Sequence, residues 1–181
     1  LDRIIANCLE FARNSAPRRT EVKNVRALLE EVVAAAGGRL KDEGLELALE
    51  IQGEGSIFLD ADQIHQALLN LLLNAIDAVK ERKQGDAASA GPINRKQGAD
   101  ITLSSTVDAQ GNWKFQMVDS GKGIPAADAE KIFDPFFTTK RGGTGLGLAV
   151  VHSIISAHQG RIAFQSEVGS GTTVTIEIPS E

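Results

Sequence analysis

Asn70, Asn74 and Asp77 stand at i, i+4 and i+7 in "NLLLNAIDA", a spacing that places all three on one face of a helix. The remaining positions are leucine-rich, so that face is costly: each mid-helix Asn loses roughly half a kcal/mol of helix propensity relative to Ala. A buried Asn without partners costs about 1–3 kcal/mol more. Such a face is expected to line something polar, a solvated surface being the alternative. Asn carbonyl oxygens, completed by phosphate oxygens and water, suit the octahedral, oxygen-only demands of Mg²⁺. A second chemical position is Asp119, which ends the apolar run "WKFQMV" and faces the flexible turn of Gly121 and Gly123. A carboxylate there can accept a hydrogen bond from an exocyclic amine while the glycines admit a flat ring. An ordinary strand-ending turn is the competing reading.

Phosphate chemistry is suggested by "TTKRGGTGLGLAV" (138–150), a glycine-rich loop feeding a helix. Gly142 and Gly147 have Walker A spacing, but Leu148 and Ala149 occupy the places of its Lys and Ser/Thr. The dinucleotide fingerprint fails as well, because Val150 replaces its third glycine. The looser match at "DSGKGIPA" lacks the acidic residue such a unit needs further on. In "KIFDPFFTTK", Phe133, Phe136 and Phe137 read as core, and also as the anchored end of a hinged lid. Thr138, Thr139 and Lys140 are then free to meet phosphate.

The elements that must position these residues follow from periodicity. Apolar residues at helical spacing predict a helix closed by Pro17, and Asn24 caps a second over about 25–40. Period-two alternation predicts a strand at 45–51, with 56–60 as its short partner. Asp60 begins a long helix to about 83, with Gln63 placed for a capping box. Residues 84–99 are small, polar and glycine-rich and read as a mobile surface loop. Strands are expected at 100–107 and 113–119, helices at 126–132 and 145–158, and strands at 161–166 and 172–178. Strands in neighbouring pairs imply helices stacked on one face of a mixed sheet, an α/β two-layer sandwich.

Composition narrows the function classes. The chain of 181 residues is 42% hydrophobic, enough for one domain with a sizeable core. A net charge of −5 argues against a nucleic-acid partner. The lone Cys8 excludes an internal disulfide and fits a reducing compartment, hence a cytoplasmic location. No run of about 18 apolar residues exists, so no membrane contact is expected within these residues. The opening "LDRIIANCLEFA" without an initiator Met is expected of a piece of a longer protein.

Taken in order, "NLLLNAIDA", "DSGKGIP", "FDPFF" and "GTGLGL" resemble the N, G1, F and G2 boxes of the GHKL ATPase superfamily. With "HQGRI" and "GSGTTVTIEIP" they resemble most closely the catalytic, ATP-binding domain of two-component sensor histidine kinases, over about residues 22–179. The resemblance implies a Bergerat-type fold with a mostly antiparallel sheet, and an ATP lid at 133–145 within a domain of residues 22–181. It implies ATP and Mg²⁺ as ligands, with Asn74 the metal ligand and Asn70 and Lys140 the catalytic residues. Asp119 resembles the adenine-binding aspartate, with Gly123 beside the ring and Thr172 helping to bind adenine through water, and Gly121 and Ile124 resemble further ATP contacts. Asp77, Ala78, Phe137, Thr138 and Thr139 resemble the family's other nucleotide contacts. Gly143, Thr144, Gly145, Leu146, Gly147 and Leu148 would direct backbone N–H groups at the phosphates.

"CLEFAR" resembles the end of the second dimerisation and phosphoacceptor helix, which makes residues 1–19 a helical stub of that element. None of His65, His152 and His158 has the acceptor's sequence context. The resemblance therefore implies an acceptor histidine elsewhere in a homodimeric full-length protein, with a response regulator receiver domain next in the relay. These residues alone would bind ATP without phosphorylating themselves. An anti-sigma-type serine kinase or a lid-closing ATPase is the alternative within the superfamily. Against the latter, clamp ATPases usually carry a catalytic Glu where this chain has Asn70.

Overall fold

Two polar caps set where the long helices begin. Asn24 Oδ1 accepts from the Ala27 N–H at 3.0 Å and opens α1 (Val25–Asp42), and Asp60 Oδ1 accepts from the Gln63 N–H at 3.1 Å and opens α2 (Ala61–Gln84). Each cap satisfies a donor that the first helical turn leaves without a partner. The computed structural model describes residues 16–53, 55–85, 98–140 and 142–180. The expected stub helix before Pro17 and most of the expected loop 84–99 lie outside the described residues.

The strands are β1 (Thr20–Val22), β2 (Leu47–Gln52), β3 (Ile57–Leu59), β4 (Ile101–Val107), β5 (Trp113–Asp119), β6 (Arg161–Glu167) and β7 (Gly171–Ile178). Between β5 and β6 run the single turn α3 (Ala126–Ala129) and α4 (Gly147–Ala157). Five strands form one sheet in the order β2-β4-β5-β7-β6, parallel only at β2-β4. Helices α1, α2 and α4 pack with it around one core that includes Leu29, Leu72, Ile76, Phe115, Val151 and Ile176. The result is the expected two-layer α/β sandwich with a mixed, mostly antiparallel sheet.

Two pairings differ from expectation. β2 does not pair with 56–60; it runs parallel to β4, with Leu47 opposite Ile101, and β3 pairs instead with β1 in a separate two-stranded ribbon. Adjacency in sequence favours a hairpin, but a parallel partner needs a crossover, and α2 supplies it. The helix expected at 126–132 ends at Ala129 and continues as turns through Ile132.

Helix α2 is buried on a single side. Ile64, Leu68, Leu71, Leu72, Ala75 and Ile76 are nearly or fully buried, whereas Asn70, Asn74 and Asp77 lie half-buried along a separate face. That division resolves the cost of the amides: Leu68, Leu71 and Leu72 are withdrawn from water and the polar row opens on a cavity.

Buried His158 ties α4 to α2. Its Nδ1–H donates to the Ile154 carbonyl at 2.8 Å, and its Nε2 accepts from the Asp60 N–H at 3.0 Å. Only a neutral ring can do both. Burial pushes the imidazole's pKa below its ordinary value, despite the opposing Ile154 contact.

Candidate nucleotide-binding site

A cavity of about 630 Å³ opens between α2, the ends of β5 and β7, and the loop before α4. Of the residues assigned from sequence to the nucleotide, the metal or catalysis, all line it except Gly121 and Leu146. Leu146 is buried, and its carbonyl accepts the Val150 N–H at 2.9 Å inside α4. Gly121 instead holds Asp119: its N–H donates to Asp119 Oδ1 at 2.7 Å. A Cβ on Gly121 would sit 2.6 Å from the Ala78 Cβ, so the turn can pass over α2 only as glycine.

One end of the cavity is set by strand register. Asp119 pairs with Thr172 across β5-β7, and Thr172 pairs with Ser166 across β6-β7. Asp119 is 3% exposed, and burial raises its carboxyl to about 6 against the lowering effect of the Gly121 and Thr172 backbone groups. Ser166 Oγ accepts the Ile124 N–H at 2.8 Å, donates to the Gly171 carbonyl at 3.0 Å and lies 2.8 Å from Thr172 Oγ1. With the Ser166 proton on Gly171, the Thr172 hydroxyl donates to Ser166 and keeps lone pairs for a ligand or water. Lys122 N–H to the Ala78 carbonyl at 3.1 Å, and Gly169 N–H to the Lys122 carbonyl at 2.8 Å, clamp the glycine turn between α2 and the β6-β7 turn. Met117, Phe164 and Val174 give this end an apolar wall.

The other end is a charge cluster. Lys140 Nζ lies 2.8 Å from Asn74 Oδ1 and 2.7 Å from Asp77 Oδ2, while Arg39 Nη2 reaches Asp77 Oδ1 at 2.5 Å. Burial pushes the Asp77 carboxyl up, but the hydrogen bonds and charges of Lys140 and Arg39 outweigh it and hold the group below its usual value. Helix α4 begins here, and its N-cap, Leu146, has no side-chain cap bond. The first-turn N–H groups of α4 are thus available to an anion, unlike those of α1 and α2.

The loop before α4 doubles back on a tight contact in which the Phe136 N–H donates to the Gly145 carbonyl at 2.9 Å. Gly145 has φ +66°, and a Cβ there would meet the Phe136 carbonyl carbon at 2.3 Å. The three phenylalanines divide: Phe133 packs on His152 and Phe164, Phe137 lines the cavity, and Phe136 is 68% exposed. None of the three is among the buried core residues, contrary to the core expected of them.

Arg39 and Ser166 were not anticipated. Ser166 carried a weak signal, a hydroxyl near the end of a strand facing the "GTT" run. Arg39 carried none, since a basic residue in the last turn of a helix reads as a complement to the helix dipole.

An acceptor carboxylate sunk at a sheet end, opposite an uncapped helix start flanked by cations, defines a nucleotide-binding domain of two-layer α/β type. The chain belongs to the histidine kinase-, DNA gyrase B- and HSP90-like ATPase family, whose model matches residues 59–181. It is 34% identical to the signal transduction histidine-protein kinase AtoS of Escherichia coli (strain K12), over 99% of this chain and 27% of AtoS. The chain thus spans about a quarter of that relative's length. Among solved structures, full-length ShkA in complex with AMPPNP superposes with a TM-score of 0.79 at 25% identity, over 98% of this chain and 35% of that one. Histidine kinase ThkA in complex with the response regulator protein TrrA gives 0.74 at 26% identity, over 99% of this chain and 47% of that one.

Proposed function

We propose that these residues are the ATP-binding kinase domain of a cytoplasmic sensor histidine kinase module. In the full-length homodimer the domain passes the γ-phosphoryl group of ATP to a histidine on a phosphoacceptor helix, for relay to an aspartate of a response regulator receiver domain. The observation that carries this reading is the convergence on one cavity of buried Asp119 and, at the far end, the polar face of α2, Lys140 and the uncapped start of α4. Among the described residues no helix is long and apolar enough to cross a membrane.

Each group has a role that its position allows. Asp119 accepts a hydrogen bond from the adenine amine, and Thr172 receives the ring through water. The first N–H groups of α4 take the β- and γ-phosphates beside the loop at 143–145, whose Gly143 N–H is turned to the Lys140 carbonyl at 3.2 Å. Lys140 neutralises charge that develops during transfer, and Asn70 orients the reacting end. Positioning and electrostatics of this kind account for most of the catalysis in phosphoryl transfer.

The oxygen donors suit Mg²⁺. The Lys140 ammonium already occupies a point within 2.8 Å of Asn74 Oδ1 and Asp77 Oδ2, so this face accepts a cation between hard oxygens. Asn74 would hold the ion together with phosphate oxygens and water, and Mg²⁺ accepts such an all-oxygen set. When bound, Mg²⁺ neutralises the β- and γ-phosphates.

The test mixes this domain with labelled ATP and a separately produced acceptor hairpin. Acid-labile phosphohistidine on the hairpin is expected. Acid-stable phosphoserine would favour the anti-sigma-type serine kinase, and hydrolysis without transfer would favour a lid-closing ATPase.

A further inference from the structure

Arg39 enters the cavity from α1, outside every motif that marks the site. Its guanidinium rests on Asp77, whose other oxygen holds Lys140, so one carboxylate is shared between two cations. A nearby pair has the same connectivity between helices: Lys80 Nζ meets Glu43 Oε1 at 2.6 Å and also joins α2 to the end of α1. That pair does not line the cavity, whereas Arg39 and Asp77 do. Exposed pairs add only about 0–1 kcal/mol to stability, so a second staple between two helices already joined by a buried core does little for the fold.

The charge balance changes when a triphosphate arrives. The oxygens of Asn74 and the ammonium of Lys140 are then needed by the nucleotide, and Asp77 loses the lysine that half-neutralises it. A carboxylate next to a polyanion is repulsive unless a cation remains on it. Arg39 is the cation that stays, because it sits on a packed helix and not on the loop before α4. Its planar fork carries five N–H donors, which lets it hold Asp77 through one edge and offer others to phosphate oxygens.

We propose that Arg39 is a phosphate-binding residue of this site, contacting the β/γ end of the nucleotide, with Asp77 as the residue that positions it. The proposal rests on the ATP reading above and adds a contact from a helix outside the four motifs. It is tested by calorimetry at fixed Mg²⁺ with ATP, AMP and adenosine as separate ligands, on the wild-type domain, Arg39→Gln and Arg39→Lys. For Arg39→Gln, ATP affinity is expected to fall about tenfold, a single charge-assisted contact, while AMP and adenosine keep wild-type affinities. Arg39→Lys, which keeps charge but loses the fork, should fall between the two. Unchanged ATP affinity, or an equal loss for all three ligands, overturns the proposal. Should Arg39→Gln fail to fold, the ratio of ATP to AMP affinity in Arg39→Lys decides the matter by the same criterion. Failure of the wild-type domain to bind any adenine ligand would instead remove the ATP reading itself.

Discussion

The two ends of the cavity are built in opposite ways. The Asp119 end is a row across three hydrogen-bonded strands, Asp119–Thr172–Ser166, with its carboxylate 3% exposed. The Asp77 end is gathered from α1, α2, the loop at 138–145 and the start of α4, and its charged side chains are each a quarter or more exposed. A strand register cannot shift without turning every side chain over, so the first end is fixed once the core forms. The second is held by ion pairs that a ligand with more charge can displace. Recognition of the base belongs to the rigid end and handling of the phosphates to the adaptable one.

The largest expected effect breaks the rigid end. Asp119→Asn replaces an acceptor with a group that presents donors, and should lower affinity for ATP and adenosine alike by about 100-fold, the loss of one charged hydrogen bond in a buried site. Calorimetry with both ligands measures it, and retained affinity would remove the base from that end. Next in size, Lys140→Ala should cost ATP about tenfold and adenosine nothing, which sharpens the division between the two ends. A loss shared by adenosine would show that the ends are not separable.

Titration gives a smaller effect. With the Asp119 carboxyl raised to about 6 by burial, adenosine affinity should decline by up to about tenfold as pH falls from 7 to 5, and Asp119→Asn should flatten the profile. Adenosine keeps phosphate titration out of the measurement. The smallest effect concerns the frame behind the site. His158 is lowered in the folded state, so its contribution to stability is full above its unfolded value of 6.5 and is lost as pH falls below it. Raised Asp119 runs in the opposite sense, stabilising at low pH and losing that contribution as pH rises through about 6. The difference between wild type and His158→Gln in urea unfolding isolates the histidine; it should shrink from pH 7.5 to pH 5.5.

Sequence spacing made much of this site legible because its residues travel in short runs on single elements. The i, i+4, i+7 row of α2 and the glycines at 121–123 and 143–147 carry their geometry locally. What was not legible depends on partners distant in the chain. Strand β2 pairs with β4 rather than β3 because α2 crosses over between them, and residues 45–51 contain no mark of that choice. Arg39 meets Asp77 only because α1 and α2 pack side by side, and Ser166 meets Thr172 only through the β6-β7 register. The exposure of Phe136 was hidden for a related reason: its backbone is committed to Gly145, and its side chain is left outside the core.

The claim that one cavity binds one nucleotide through two unlike ends is tested most directly by NMR titration of backbone amides. With adenosine, the amides of Gly121, Ile124 and Thr172 should shift to saturation while those of Gly143, Gly145 and Gly147 stay in place. With ATP and Mg²⁺, both groups should move with one dissociation constant. Simultaneous movement of both groups with adenosine alone, or no movement of the 143–147 amides with ATP, would contradict the account.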